Sequence, residues 1–118
     1  SLIKGDLLSP LRAINIGKVD LIVSNPPYIP TADLHILPDD VKNEPQIALN
    51  GGQDGLEFYR RIIPDARNFL KPHGKVIFEI AWNQAKDVGF LLEREMYKGI
   101  KIIKDYAGFD RVISGTLI

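Results

Sequence analysis

The chain has no cysteine, one tryptophan, one methionine and two histidines among its 118 residues. Without thiols it can form neither a disulfide nor a thiolate-ligated metal centre, and His35 and His73 stand in turn-like segments without companion ligands, so no metal site is expected. An excess of one charge is also lacking, because 15 Lys plus Arg balance 15 Asp plus Glu. That balance removes the bulk attraction that draws basic proteins to nucleic acid or acidic lipid, and neither is expected as a direct partner. No apolar run reaches the roughly 20 residues needed to span a bilayer, and no signal-peptide pattern opens the chain, which makes a cytoplasmic location the expectation.

What is present suits one modest core and is too short for two ordinary domains. Asp20 to Ser24 is a compact apolar run that predicts a strand covered on both faces, and Leu2 to Leu8 has the look of a strand tail. From Thr31 to Asp54 the prolines, asparagines, aspartates and a Gly-Gly pair predict a long irregular connection. Leu56, Tyr59, Ile62, Ile63, Ala66, Phe69 and Leu70 then form a helical stripe, with Asp54 as a candidate cap and Pro64 as a predicted break in its hydrogen bonding.

Lys71-Pro72-His73-Gly74 reads as a turn, Lys75 to Ile80 as a second strand, and Asn83 to Met96 as another helix closed by Gly99. Ile100 to Lys104 and Arg111 to Leu117 predict two strands paired antiparallel through the Tyr106 to Asp110 turn. The order indicates an α/β fold with a mostly parallel sheet ending in an antiparallel strand pair.

The first strand runs directly into Asn25-Pro26-Pro27-Tyr28. Ligands of open α/β sheets sit beyond the carboxyl ends of strands, and two consecutive prolines leave this segment little conformational freedom. A bare Pro-Pro pair is a rigid stop to a strand. With an amide before it and a phenol after it, the corner offers more: the Asn25 side-chain oxygen and the Pro26 carbonyl are two acceptors able to grip both hydrogens of one planar NH2 group, with Tyr28 against its flat face. Such a grip helps to release a delocalised nitrogen lone pair for attack, by positioning and electrostatics and without a strong general base.

The tetrapeptide in this setting resembles the signature of class I methyltransferases that use S-adenosylmethionine to methylate planar nitrogens. Asn43-Glu44-Pro45-Gln46-Ile47-Ala48-Leu49, Gly51-Gly52-Gln53-Asp54-Gly55-Leu56, Tyr59-Arg60-Arg61-Ile62-Ile63, Phe78-Glu79-Ile80 followed by Gln84, and Asp105 through Gly108 to Arg111 extend the likeness to the release factor glutamine methyltransferases, also called HemK-like. The resemblance implies methyl transfer to a glutamine amide nitrogen in a peptide chain release factor. Asn25 and Pro26 would hold that amide, Tyr28 would pack on it, and Pro27, Glu44 and Pro45 would shape the substrate side. Asp6, with Leu7 beside it, resembles the acidic position at the cofactor's adenine, and Asn25 would also face the cofactor.

The resemblance also implies a gap. Members bind S-adenosylmethionine with a glycine-rich loop after their first strand, and the only glycine cluster here, Gly51 to Gly55, follows a loop. Residues 1–118 are thus expected to form a single truncated catalytic domain, the C-terminal half of a Rossmann-like methyltransferase. Its first strand would lack a neighbour and favour self-association through the open edge. Glu79, inside an apolar strand, requires a partner such as a backbone amide or an arginine, Arg111 being one candidate. Trp82 reads as packing. Two other functions fit parts of the pattern: a DNA adenine methyltransferase fragment, which lacks a basic stripe here, and a noncatalytic assembly module.

Overall fold

A computed structural model describes residues 1–118. Four strands form one sheet, β1 (Val19–Ser24), β2 (Leu70–Glu79), β3 (Tyr97–Lys104) and β4 (Asp110–Leu117), in the order β1-β2-β4-β3. β1 and β2 are parallel, and β4 lies antiparallel to both β2 and β3. Three strands therefore run the same way and the last one is inserted between two of them in reverse. The carboxyl ends of β1, β2 and β3 and the start of β4 consequently meet at one end of the sheet.

Two helices, α2 (Glu57–Ala66) and α3 (Ala85–Arg94), cover a single face; a one-turn helix, α1 (Asp39–Lys42), lies earlier in the chain. Tyr59, Ile62, Ile63 and Ala66 of α2 and Val88, Leu91 and Leu92 of α3 bury themselves on Val76, Phe78 and Ile113. Tyr59 and Phe78 meet edge to face, with ring centres 5.5 Å apart. The Tyr97 hydroxyl donates to the Ile63 carbonyl at 3.0 Å, so this buried phenol ties β3 to α2.

The expectation that the first strand is covered on both faces is overturned. Leu21 and Val23 are 48% and 65% exposed because no element packs on their side of the sheet, and β1 has one neighbour only. Several boundaries also move. Leu70 opens β2 instead of ending α2, and Lys71 to Gly74 bulge from that strand, the register stepping from Val19–Leu70 to Leu21–Lys75. α3 ends at Arg94, with Met96 in the left-handed region at φ 69°, whereas Gly99 sits at a β3 irregularity. No strand forms over Leu2 to Leu8; a 3-10 turn follows at Ser9–Arg12. The Thr31 to Asp54 connection is ordered by 3-10 turns at Thr31–Ile36 and Gln46–Ala48 around α1.

Candidate active site

The corner Asn25 to Tyr28 leaves β1 at the strand-end side of the sheet, with Pro26 buried and Asn25 exposed. Asn25, Pro26, Pro27 and Tyr28 line a cavity of about 250 Å³ together with Glu44, Val41 and Glu79. Neither the Asn25 side chain nor the Pro26 carbonyl is engaged by a hydrogen bond from another part of the chain, so both acceptors stay free for an incoming group. Pro45 is the residue before the Gln46–Ala48 turn and does not line this cavity.

Tyr28 is not a free lid. Its hydroxyl donates to Glu79 Oε1 at 2.9 Å, and burial, followed by this bond to a carboxylate, raises the phenol's pKa above its ordinary value. Glu79 thus takes a hydroxyl as its partner, where an arginine or backbone amide was expected. Arg111 instead donates to Asp105 Oδ2 at 3.3 Å and to the Ile80 carbonyl at 3.4 Å. Asp105 also accepts from the amides of Ala107 and Phe109, which fixes the β3–β4 turn and holds its carboxyl below the usual range, the Phe109 bond being the main cause. The Glu79 carbonyl accepts from Tyr59 at 2.6 Å, so the end of β2 is held from the helical side as well.

The glycine cluster is packed on the corner itself. The Ile29 amide donates to the Leu49 carbonyl, the Gly51 amide to the Ile29 carbonyl, and the Thr31 amide to the Gly52 carbonyl. A Cβ at Gly51 would fall 2.6 Å from Tyr28 Cα, and one at Gly55 would fall 2.5 Å from the Tyr28 carbonyl oxygen. These glycines are therefore required by the close approach of two backbones, a role the sequence did not reveal. Asp54 accepts from the Leu56 amide at 3.0 Å ahead of α2 and pairs with Arg60.

Asp6 is exposed and paired with Arg61 of α2, and Leu7 packs partly against the core; neither lines the Asn25 cavity. Trp82, read as packing, is 63% exposed and lines a second cavity with Tyr28, Pro30, Leu37, Ala81 and Gln84. His35 and His73 are exposed, as expected.

No protein-family model matches the chain. A release factor glutamine methyltransferase of Moorella thermoacetica is 46% identical over 112 residues, covering 94% of this chain and 38% of the relative. One from Clostridium acetobutylicum is 48% identical over 111 residues, covering 92% and 38%. Among solved structures, a release factor-specific protein-(glutamine-N5) methyltransferase from Alicyclobacillus acidocaldarius superposes with a TM-score of 0.57 at 31% identity, over 91% of this chain and 53% of that one. A methyltransferase from Pyrococcus furiosus shares the fold, with a TM-score of 0.52 at 23% identity over 85% of this chain and 41% of that one. Along more than nine-tenths of its own length the chain is similar to part of the release factor glutamine methyltransferases, and it spans about 38% of the length of those relatives.

Proposed function

We propose that this chain carries the amide-binding side of a methyltransferase that modifies a glutamine side chain in a peptide chain release factor. One observation carries the reading: a proline-stiffened corner, whose two acceptors are unengaged by the rest of the chain, lines a small cavity at the strand-end edge of the sheet. A primary amide has two hydrogens to offer, and Asn25 Oδ1 and the Pro26 carbonyl can take one each. Holding both orients the nitrogen and favours the form in which its lone pair is available. Glu44 and Glu79 add negative potential around the amide hydrogens, which become more acidic as the nitrogen acquires a methyl group.

The methyl source in this reading is S-adenosylmethionine, whose sulfonium supplies an electrophilic methyl group. The residues present do not build a cradle for it: the space at Gly51 and Gly55 is filled by the backbone of Tyr28, and no glycine-rich turn follows a strand. Asp6 remains a candidate contact, because its pairing with Arg61 is at the surface and is weak enough to be exchanged for another donor. We propose accordingly that the 118 residues alone bind the methyl donor poorly and need further polypeptide for turnover. The open β1 edge is a site for that polypeptide or, failing it, for a second copy of the chain.

The test uses a protein of the relatives' length containing these residues, incubated with S-adenosylmethionine and a release factor. Mass spectrometry should find one added methyl on a glutamine, and Asn25→Ala should lower kcat by about 100-fold or more with little change in donor affinity. Methylation of duplex DNA with none on the release factor would overturn the proposal. Calorimetry showing tight donor binding by the isolated chain would overturn the statement about the cradle.

A further inference from the structure

Gln84 is the buried polar side chain behind the corner, 5% exposed, at the residue preceding α3. Its amide nitrogen donates to the Tyr28 carbonyl at 3.0 Å and to the Gly55 carbonyl at 3.2 Å. Its oxygen accepts from the Ala81 amide at 2.9 Å. Three chain segments that no other single side chain joins are thus held by one amide group: the exit from the Pro-Pro corner, the glycine loop packed on it, and the end of β2. Its backbone is engaged too, the amide donating to the Ala81 carbonyl and the carbonyl accepting from Val88.

Direction matters more here than strength. Prolines fix φ at Pro26 and Pro27, but ψ at Pro27 and the plane of the next peptide are set by what holds Tyr28. On the front, the Tyr28 hydroxyl is held by Glu79; at the back, the Tyr28 carbonyl is held by Gln84. With Tyr28 held at both ends, the rotation available to the peptide planes between Asn25 and Tyr28 is restricted. We infer that Gln84 is a positioning residue which aims the two corner acceptors at their amide ligand through the Tyr28 carbonyl, without touching that ligand. The inference deepens the reading of the corner as a primary-amide site and rests on it.

Gln84→Glu keeps shape and the acceptor for Ala81 but sets a carboxylate oxygen against two carbonyls. Gln84→Met removes every polar atom at similar volume. The isotopically labelled chain is followed by NMR, with N-acetylglutamine methylamide as the probe ligand. In the wild type, the Gln84 side-chain NH2 should exchange with solvent on the order of tenfold more slowly than that of exposed Gln53. In either variant, the Asn25 side-chain and Ile29 amide signals should shift and broaden, and probe affinity should fall on the order of tenfold, while Ile63 and Leu92 signals stay in place.

Folded variants with unmoved Asn25 signals and wild-type probe affinity would overturn the inference. If neither variant folds, the wild-type exchange rate decides, and fast exchange at Gln84 overturns it. Failure of the wild type to bind any primary amide would instead remove the reading of the corner, leaving the Gln84 tie to be judged by exchange alone.

Discussion

The Tyr28 hydroxyl and the Glu79 carboxylate, from segments 51 residues apart in sequence, meet at 2.9 Å, and both residues line the corner cavity. The bond restrains the tyrosine side chain and gives a half-buried carboxylate the partner it needs. Tyr28→Phe keeps the ring and removes the donor. Its expected cost is about 1.5 kcal/mol in denaturant unfolding, the lower end of values for a bond to a charged group because the site is partly wet. Glu79→Gln, which still offers an acceptor, should lose less; an unchanged stability of Tyr28→Phe would show that the hydroxyl contributes nothing.

Alkaline titration should distinguish the held phenols. Burial raises the pKa of Tyr28, Tyr59 and Tyr97, pushing Tyr97 up to about 12. A phenol whose folded pKa is raised contributes stability that is complete below the unfolded value near 10 and is lost as pH climbs through the folded value. The unfolding midpoint should therefore be flat with respect to these groups up to about pH 10 and fall between 10 and 12. Tyr97→Phe, which leaves the Ile63 carbonyl without its donor, should start lower and fall less steeply.

Gly55→Ala places a methyl against the Tyr28 carbonyl and forces a left-handed φ of 79° on a residue with a side chain. Both effects act on the corner, and a loss of about 2–3 kcal/mol is expected with the denaturant m-value unchanged. Gly108→Ala, also at positive φ but with nothing within 4 Å, should cost about 1 kcal/mol, the backbone part alone.

The bare face of β1 gives a prediction about assembly. Val23 is 65% exposed on an edge strand, where an unpaired backbone and apolar side chains invite another copy. Light scattering after size exclusion should show mass rising with concentration for the isolated chain, and Val23→Lys should shift it toward monomer. A monomer at all concentrations would remove the self-association proposal.

The corner was legible because its signal is local: an apolar run ends in two prolines, and adjacent residues supply both acceptors. From Asp20 onward the strands and helices followed from periodicity with shifted ends, most of all where one apolar pattern passes from helix to strand at Phe69 and Leu70, which spacing cannot divide; the strand expected over Leu2 to Leu8 does not form. Gln84 was not legible as a tie, since its acceptors lie 56 and 29 residues away. Glu79 announced its need for a partner but not which one. Met96 was hidden by Gly99, the better candidate for positive φ by chemistry, although the helix turns out at the methionine. The exposure of Leu21, Val23 and Trp82 depends on what packs beside them, and residue type carries no record of that.

Because β4 follows the other three strands in the chain and yet lies inside the sheet, Lys75 must wait 41 residues for Thr116, and β3 has no other neighbour in that sheet. During synthesis β3 therefore has nothing to pair with until Asp110 to Leu117 have left the ribosome and slotted in between it and β2. A lesion within β4 would strike two partners at once, baring one edge of β2 and leaving β3 with no partner.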